Sequence, residues 1–230
     1  IRMRRIGIMG GTFNPIHNGH LAIADKAREQ FALEKVLFMP SGIPYMKDQR
    51  EVLPIQTRCE MTALAIKDMP GFELSEMEAS DAALGKNTYT CDTLQKLKAA
   101  DPEADYYFIL GADSLYAMED WKNPALIFQN CTVLAAVRTT VTLSVKDGTS
   151  ESGMRESGKQ TQEQQPHFSE QVRYLQEKYH ASVKLLEFAG MDISSTQIRA
   201  MVKAGKSLQG LVPEAVAVYI WQNHLYEKDS

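Results

Sequence analysis

Residues 6–27 read IGIMGGTFNPIHNGHLAIADKA, and this stretch decides the fold. The apolar run 6–9 precedes a loop that contains glycine, and a helical pattern follows from about Asn18. A strand, a glycine loop and a helix in this order are typical of a βα unit. Glycines let the backbone come close to a ligand and adopt conformations closed to other residues, and a helix N-terminus presents unpaired N–H groups. The stretch therefore predicts an anion site, with phosphate as its natural ligand.

The rest of the chain alternates apolar runs with helical patterns. We predict strands near residues 5–9, 35–39, 72–74, 106–110, 133–137 and 183–188, and helices near 18–31, 55–67, 90–99, 114–118, 169–179, after Ser194 and at 213–226. Such alternation predicts a doubly wound, Rossmann-like α/β fold, a parallel sheet with helices on both faces, and its C-terminal helical segment is assigned to packing. Ligands bind outside the carboxyl ends of such strands, where residues 10–20, 40–47 and 111–114 fall.

The chain has 230 residues, of which 44% are hydrophobic, so it could form one large domain or a domain with an appendage. We interpret residues 1–230 as a single domain with an insertion at 139–165. This segment is rich in Ser, Thr, Gly, Gln and charged residues, which favours a mobile polar insertion. At its two ends, an irregular but ordered loop is an equally open interpretation.

Composition excludes several classes of protein. The net charge of −4 argues against a nucleic-acid partner, which would need a basic surface. Three widely spaced cysteines form neither a zinc pattern nor a disulfide framework, and we expect buried thiols in a reducing cytoplasm. No apolar run approaches the roughly 20 residues of a membrane helix, and no signal-peptide pattern is present, so we expect no membrane partner. Whether the chain forms a homo-oligomer is left open.

Two histidines mark the start of the first helix. His17 and His20 are three residues apart, so in a helical turn both rings project to the same side. A zinc site would lack a convincing third ligand, and neither GxGxxG nor a complete GxxxxGK[ST] pattern is present. Two unrelated surface histidines remain a simpler alternative. Within residues 10–20, the glycines, Thr12 and Asn14 accompany the two histidines and favour a phosphate site. We predict no metal site built from protein ligands.

Two segments resemble the signatures of the nucleotidylyltransferase superfamily. A TxxxxHxGH-type motif is matched by Thr12, His17, Gly19 and His20, and an ISSTxxR-type motif by residues 193–199, ISSTQIR. More narrowly, the chain is similar to the family of bacterial nicotinate-nucleotide adenylyltransferases outside the insertion. The similar segments are PSGIPYMK at 40–47, TYTCDTL at 88–94, GADSLYAMEDW at 111–121 and VPEAVAVYIWQNHLY at 212–226.

This resemblance implies a nucleotidylyltransferase-type fold and transfer of AMP from ATP to nicotinate mononucleotide, with Mg²⁺ on the triphosphate. The catalytic residues that it implies are His17, His20, Lys47 and Arg199. The ATP-binding residues are Gly10, Gly11, Thr12, Phe13, Gly111, Asp113, Ile193, Ser194, Ser195 and Thr196. The substrate-binding residues are Asn14, Thr88, Tyr89, Thr90 and Trp121, with Trp121 stacked on the pyridine ring.

Purely structural roles remain open for several of these residues. Ser and Thr in the ISSTQIR segment are ordinary helix caps, and Thr88, Thr90 and Asp113 could also be caps. Trp121 could belong to the core. Alternative activities are adenylyl transfer to nicotinamide mononucleotide, transfer to pantetheine phosphate, for which the chain is long, and cytidylyl transfer. A nucleotide-sensing module without turnover is the alternative from another class of protein.

Overall fold

The computed structural model describes residues 4–42, 51–138 and 164–227. Within these ranges the strands are Arg4–Gly11 (β1), Lys35–Pro40 (β2), Phe72–Leu74 (β3), Ala104–Gly111 (β4), Thr132–Arg138 (β5) and Val183–Phe188 (β6). The helices are Asn18–Gln30 (α1), Ile55–Ile66 (α2), Met77–Ala83 (α3), Thr90–Ala100 (α4), Ala112–Ala117 (α5), Pro124–Asn130 (α6), Gln164–Tyr179 (α7), Ser195–Lys203 (α8) and Glu214–Gln222 (α9).

The strands form one parallel sheet in the order β3-β2-β1-β4-β5-β6. Strands β2 and β3 follow β1 on one side of it, and the chain then crosses back so that β4, β5 and β6 lie on the other side. The register aligns Gly11 with Pro40 on one side and Met9 with Ile109 on the other. The strand order reverses between β1 and β4, and this switch point is where open parallel sheets bind ligands. The predicted α/β fold is confirmed.

Hydrophobic cores lie on both faces of the sheet because neighbouring residues of a strand point in opposite directions. On β1, Ile8 belongs to the core beneath α4, α6 and α7, while Met9 belongs to the core beneath α1, α2, α8 and α9. The same alternation places Phe108 and Ile109 of β4 on opposite faces. Burial on both faces explains why these strands are continuous apolar runs in the sequence.

Some predicted boundaries are wrong. The helix predicted at 169–179 begins at Gln164, so the last two residues of the predicted insertion are helical, and residues 139–163 lie outside the described part of the chain. The helix predicted at 213–226 ends at Gln222, although Val216 and Ile220 pack in the core as expected. Helices α3 and α6 were not predicted. No residue of α3 is buried, so it lacks the apolar stripe that would reveal it.

The three cysteines are buried and unpaired, as predicted. Burial raises the pKa of the Cys59 thiol to about 11 and that of Cys131 to about 12. These thiols therefore stay protonated near neutral pH and are poor nucleophiles. In the described ranges, none of the helices combines the length and apolarity that a membrane span requires.

Candidate active site

The loop after β1 is shaped by Phe13. The backbone of Phe13 has a positive φ of 49°, whereas neither Gly10 nor Gly11 does. The prediction that these glycines supply unusual backbone conformations is therefore wrong. Gly11 is required by space instead, because a Cβ there would lie 2.9 Å from the Phe13 ring. Phe13 as a whole is 2% exposed and its ring packs against Phe38, so its side chain belongs to the core, and its predicted contact with ATP stays a prediction.

The two histidines meet at the start of α1, as their spacing predicts. His17 is the N-cap and His20 is the third helical residue, and their rings stack with centroids 3.7 Å apart. The Phe13 ring is nearly perpendicular to the His20 ring, with the two centroids 5.0 Å apart. Gly19 makes room for this arrangement, since a Cβ there would lie 3.0 Å from Nδ1 of His17.

His17 is buried and neutral. Its side chain is 7% exposed, and burial lowers its pKa from 6.5 to about 4. Its buried Nδ1 faces the backbone N–H of His20 in a capping box, without the geometry of a regular hydrogen bond. His17 is thus a neutral imidazole near neutral pH, and its predicted contact with phosphate stays a prediction.

The ISSTQIR segment reaches the same loop from the far end of the sequence. Ser195 donates its hydroxyl to the carbonyl of Pro15 at 2.8 Å, and Nη1 of Arg199 donates to the carbonyl of Asn14 at 3.0 Å. Ser194 caps α8 by accepting the N–H of Gln197, as the capping alternative predicts. The two signature segments therefore form one site.

The other residues of this segment differ in position. Ile193 is 9% exposed and lies in the core, so its side chain packs rather than facing open space. The Thr196 hydroxyl accepts a long bond of 3.5 Å from Nη2 of Arg199. In this segment the side chains of Ser195 and Arg199 donate hydrogen bonds to the loop.

Asn14 is a hub of hydrogen bonds rather than an exposed contact. Its side chain is 3% exposed; Nδ2 donates to the carbonyl of Glu51 at 2.8 Å. Oδ1 accepts the N–H of Leu53 at 3.2 Å and the hydroxyl of Tyr226 at 2.8 Å. Asn14 therefore joins the loop to the approach to α2 and to the C-terminal tail. Its predicted contact with substrate stays a prediction.

The carboxyl end of β4 is open. A Cβ added at Gly111 would meet no atom within 4 Å, so space is available there for a ligand. Asp113 is exposed in the first turn of α5, and the N-cap of this helix is Gly111. The capping alternative for Asp113 is therefore wrong.

Residues predicted to bind the pyridine nucleotide gather around the start of α4. The N-cap is Tyr89, without a side-chain cap, so Thr88 and Thr90 are not caps. Thr88 is 8% exposed, and its hydroxyl has no hydrogen-bond partner among the described residues. Trp121 is half-buried, with its ring perpendicular to Phe108 at 6.2 Å. Lys122 lies over the Tyr89 ring, with Nζ 4.2 Å from its centroid.

Sequence reasoning missed two residues that organise the loop. The first is Tyr226. The second is Arg58, which is 1% exposed and donates to the carbonyl of Thr12 at 2.7 Å. The available signal was its place on α2, since Arg58 falls in register with the buried residues Met61 and Ala65. A charged residue in an apolar helical stripe indicates buried partners.

Lys47, predicted to be catalytic, lies outside the described residues. Over the described ranges, the structure contains no group of three or more His, Cys, Asp or Glu side chains that could hold a metal ion.

Comparison with known proteins identifies the class of this fold and site. Residues 8–201 match the family model described as "Cytidylyltransferase-like". The chain therefore belongs to the cytidylyltransferase-like family. The names of curated relatives specify a narrower activity. A "Probable nicotinate-nucleotide adenylyltransferase" of Lachnoclostridium phytofermentans is 38% identical over 97% of this chain and 100% of its own length. The relative of that name from Geobacter metallireducens is 34% identical over 98% and 99%.

A solved structure shares the fold. The nicotinic acid mononucleotide adenylyltransferase of Plasmodium falciparum, complexed with NaAD, superposes with a TM-score of 0.69. The match covers 97% of both chains at 16% identity. The architecture is thus common to nucleotidyltransferases that differ greatly in sequence.

Proposed function

We propose that the protein transfers AMP from ATP to the 5′-phosphate of nicotinate mononucleotide, forming nicotinate adenine dinucleotide and pyrophosphate in NAD biosynthesis. The observation that carries this proposal is the joining of the two signature segments at the end of β1, through Ser195 to Pro15 and Arg199 to Asn14. Similarity to nicotinate-nucleotide adenylyltransferases over 97% of the chain supports this acceptor.

The reaction needs no protein base. An oxygen of the acceptor phosphate attacks the α-phosphorus of ATP, and the bond from that phosphorus to the pyrophosphate oxygen breaks with its electron pair. A phosphate monoester has a second pKa of about 6, so the attacking group is already ionised near neutral pH. Catalysis is then positioning together with stabilisation of the charge that develops on the phosphate oxygens.

We assign this stabilisation to fixed donors around the loop. His17, a neutral imidazole at the N-cap of α1, supplies a hydrogen bond to the triphosphate, and His20 supplies a second one. Arg199, held by the carbonyl of Asn14, adds positive charge from the other segment. Lys47 is proposed from the resemblance alone to add a further charge.

The pyridine pocket is proposed at the start of α4. A nicotinate carboxylate accepts hydrogen bonds, and the buried, unpartnered hydroxyl of Thr88 can donate one. The ring of Trp121 offers a surface for stacking on the pyridine. The Thr88 hydroxyl suits the carboxylate of nicotinate, and the preference for nicotinate over nicotinamide rests on the similarity to nicotinate-nucleotide adenylyltransferases.

Mg²⁺ is proposed to arrive with ATP. The residues of the loop carry amides, hydroxyls and imidazoles, which suit phosphate oxygens rather than a hard cation. Mg²⁺ prefers phosphate oxygens and water to a cage of protein ligands, which fits this donor set. When bound, it neutralises charge on the triphosphate. We also propose a cytoplasmic protein, since all three cysteines are unpaired.

One assay tests the function. Purified protein is given ATP and Mg²⁺ with nicotinate mononucleotide or nicotinamide mononucleotide in parallel, and pyrophosphate release is measured. We expect release with the nicotinate compound to exceed release with the nicotinamide compound. The variant His20→Ala, measured in the same way, should release much less pyrophosphate, which would show that the activity comes from this protein and not from a contaminant. ATP binding without pyrophosphate release from either acceptor would contradict the proposal and favour a sensing module.

A further inference from the structure

Arg58 joins three chain segments around the phosphate loop. Its Nε donates to the carbonyl of Leu53 at 2.9 Å, Nη1 to that of Thr12 at 2.7 Å and Nη2 to that of Gly42 at 3.2 Å. Thr12 follows β1, Gly42 follows β2, and Leu53 precedes α2. A planar guanidinium has donors in a rigid fork, so one side chain fixes the relative positions of all three carbonyls.

No carboxylate of the described residues lies within ion-pair distance of Arg58, although the charge of Glu78 acts on it from further away. Its guanidinium instead donates to three backbone carbonyls, which carry only partial charges. Burial lowers the pKa of Arg58, but an arginine stays protonated in proteins. A buried cation is costly, and an anionic ligand near it would offset that cost.

The contact with Thr12 bears directly on the loop. The carbonyl of Thr12 and the N–H of Phe13 belong to one peptide group, and in a trans peptide they point in opposite directions. Arg58 draws the carbonyl toward the interior, so the N–H of Phe13 is turned away from the guanidinium. Phe13 has a positive φ, a costly conformation for a residue with a Cβ, and such a conformation persists only where surrounding contacts hold it.

We propose that Arg58 is a positioning residue for the nucleotide phosphates, which holds the Thr12–Phe13 peptide so that its N–H faces the phosphate site. The hydrogen bond from a charged donor also polarises this peptide and strengthens its N–H as a donor. The inference rests on one part of the proposed function, namely that the loop binds ATP. Arg58 acts through the peptide and does not itself touch substrate.

The test separates this role from simple core packing. Arg58→Lys keeps the charge but loses the fork, and Arg58→Met keeps only the apolar volume. Met61→Ala is the matched control, because Met61 is fully buried in the same helix and lies in the hydrophobic core. Affinity for ATP with Mg²⁺ is measured by calorimetry, thermal midpoints by calorimetric scans, and steady-state kcat and KM for both substrates.

We expect both Arg58 variants to bind ATP at least about tenfold more weakly, with lower kcat, whereas Met61→Ala keeps ATP affinity within about threefold despite a lower midpoint. Amide exchange of residues 12–17 should rise in Arg58→Lys and stay low in Met61→Ala. Wild-type affinity in Arg58→Lys, or global unfolding of that variant at low temperature, would overturn the proposal. ATP binding by the wild type without turnover of nicotinate mononucleotide would contradict the proposed function, while the comparison of ATP affinities still decides the role of Arg58.

Discussion

The backbone N–H of His17 donates to Nδ1 of His20 at 3.2 Å, while the two rings stack. A neutral imidazole carries one proton, so an Nδ1 that accepts this bond leaves the proton on Nε2. The first turn of α1 therefore fixes the tautomer of His20 before any ligand arrives. A donor fixed in this way needs no reorganisation when charge develops in the transition state.

Replacing His20 should reduce turnover much more than stability. We expect His20→Ala to raise the activation barrier by about 2–4 kcal/mol, a roughly 30- to 1,000-fold decrease in kcat, if His20 is a preorganised donor. His20→Gln keeps an N–H at similar reach and should retain more activity. Saturating kinetics and urea unfolding measure the two effects. His167→Ala, which changes an exposed histidine of α7, is the control. Turnover of His20→Ala close to that of the wild type would remove the assigned role.

The lowered pKa of His17 predicts a stability that depends on pH. The unfolded chain protonates this histidine near its ordinary pKa of 6.5, but the folded protein does so only near 4. Between these values the unfolded state binds more protons, so stability falls as pH falls. From pH 7.5 to pH 5 we expect His17 to account for a loss of about 2 kcal/mol in the free energy of unfolding.

The comparison variant for this prediction is His17→Asn, because asparagine is also a good N-cap and does not titrate. Urea unfolding of both proteins at the two pH values gives the difference directly. The variant should lose about 2 kcal/mol less than the wild type on acidification. Equal losses in the two proteins would show that His17 is not held neutral by the fold.

The sheet and the two signature segments could be predicted from the sequence. Strands buried on both faces are continuous apolar runs, such as residues 106–110, and local rules identify them. The meeting of residues 10–20 with 193–199 was predicted through the resemblance, and the bonds of Ser195 and Arg199 account for it.

The contacts that shape the loop could not be predicted. Arg58 binds backbone carbonyls, and every residue has a carbonyl, so its partners leave no pattern of residue types in the sequence. Tyr226 lies 212 residues from Asn14, and only the folded chain brings them together. Phe13 has a positive φ, which sequence rules assign to glycine. With Gly10 and Gly11 close by, those rules place the unusual backbone conformation at the glycines and not at Phe13.

The bond from Tyr226 to Asn14 makes the C-terminal tail part of the site. Tyr226→Phe removes only the hydroxyl, and Oδ1 of Asn14 keeps the N–H of Leu53 as a partner. We expect a loss of about 1 kcal/mol in the free energy of unfolding, and a several-fold lower kcat/KM because the loop is less firmly held. Tyr116→Phe, at an exposed tyrosine, is the control. A variant with unchanged stability and kinetics would show that the tail does not support the loop.

The unpartnered hydroxyl of Thr88 predicts opposite effects on stability and activity. Thr88→Val keeps the shape and removes a buried polar group without a partner, so stability should stay the same or rise by up to about 1 kcal/mol. If the hydroxyl binds the nicotinate carboxylate, kcat/KM for nicotinate mononucleotide should fall about tenfold or more, while KM for ATP stays within about twofold. The matched control is Thr93→Val: that hydroxyl donates to Glu78 at 2.9 Å, so its loss should destabilise the fold. Urea unfolding and kinetics on both variants decide the matter, and an unchanged kcat/KM in Thr88→Val would exclude Thr88 from the acceptor pocket.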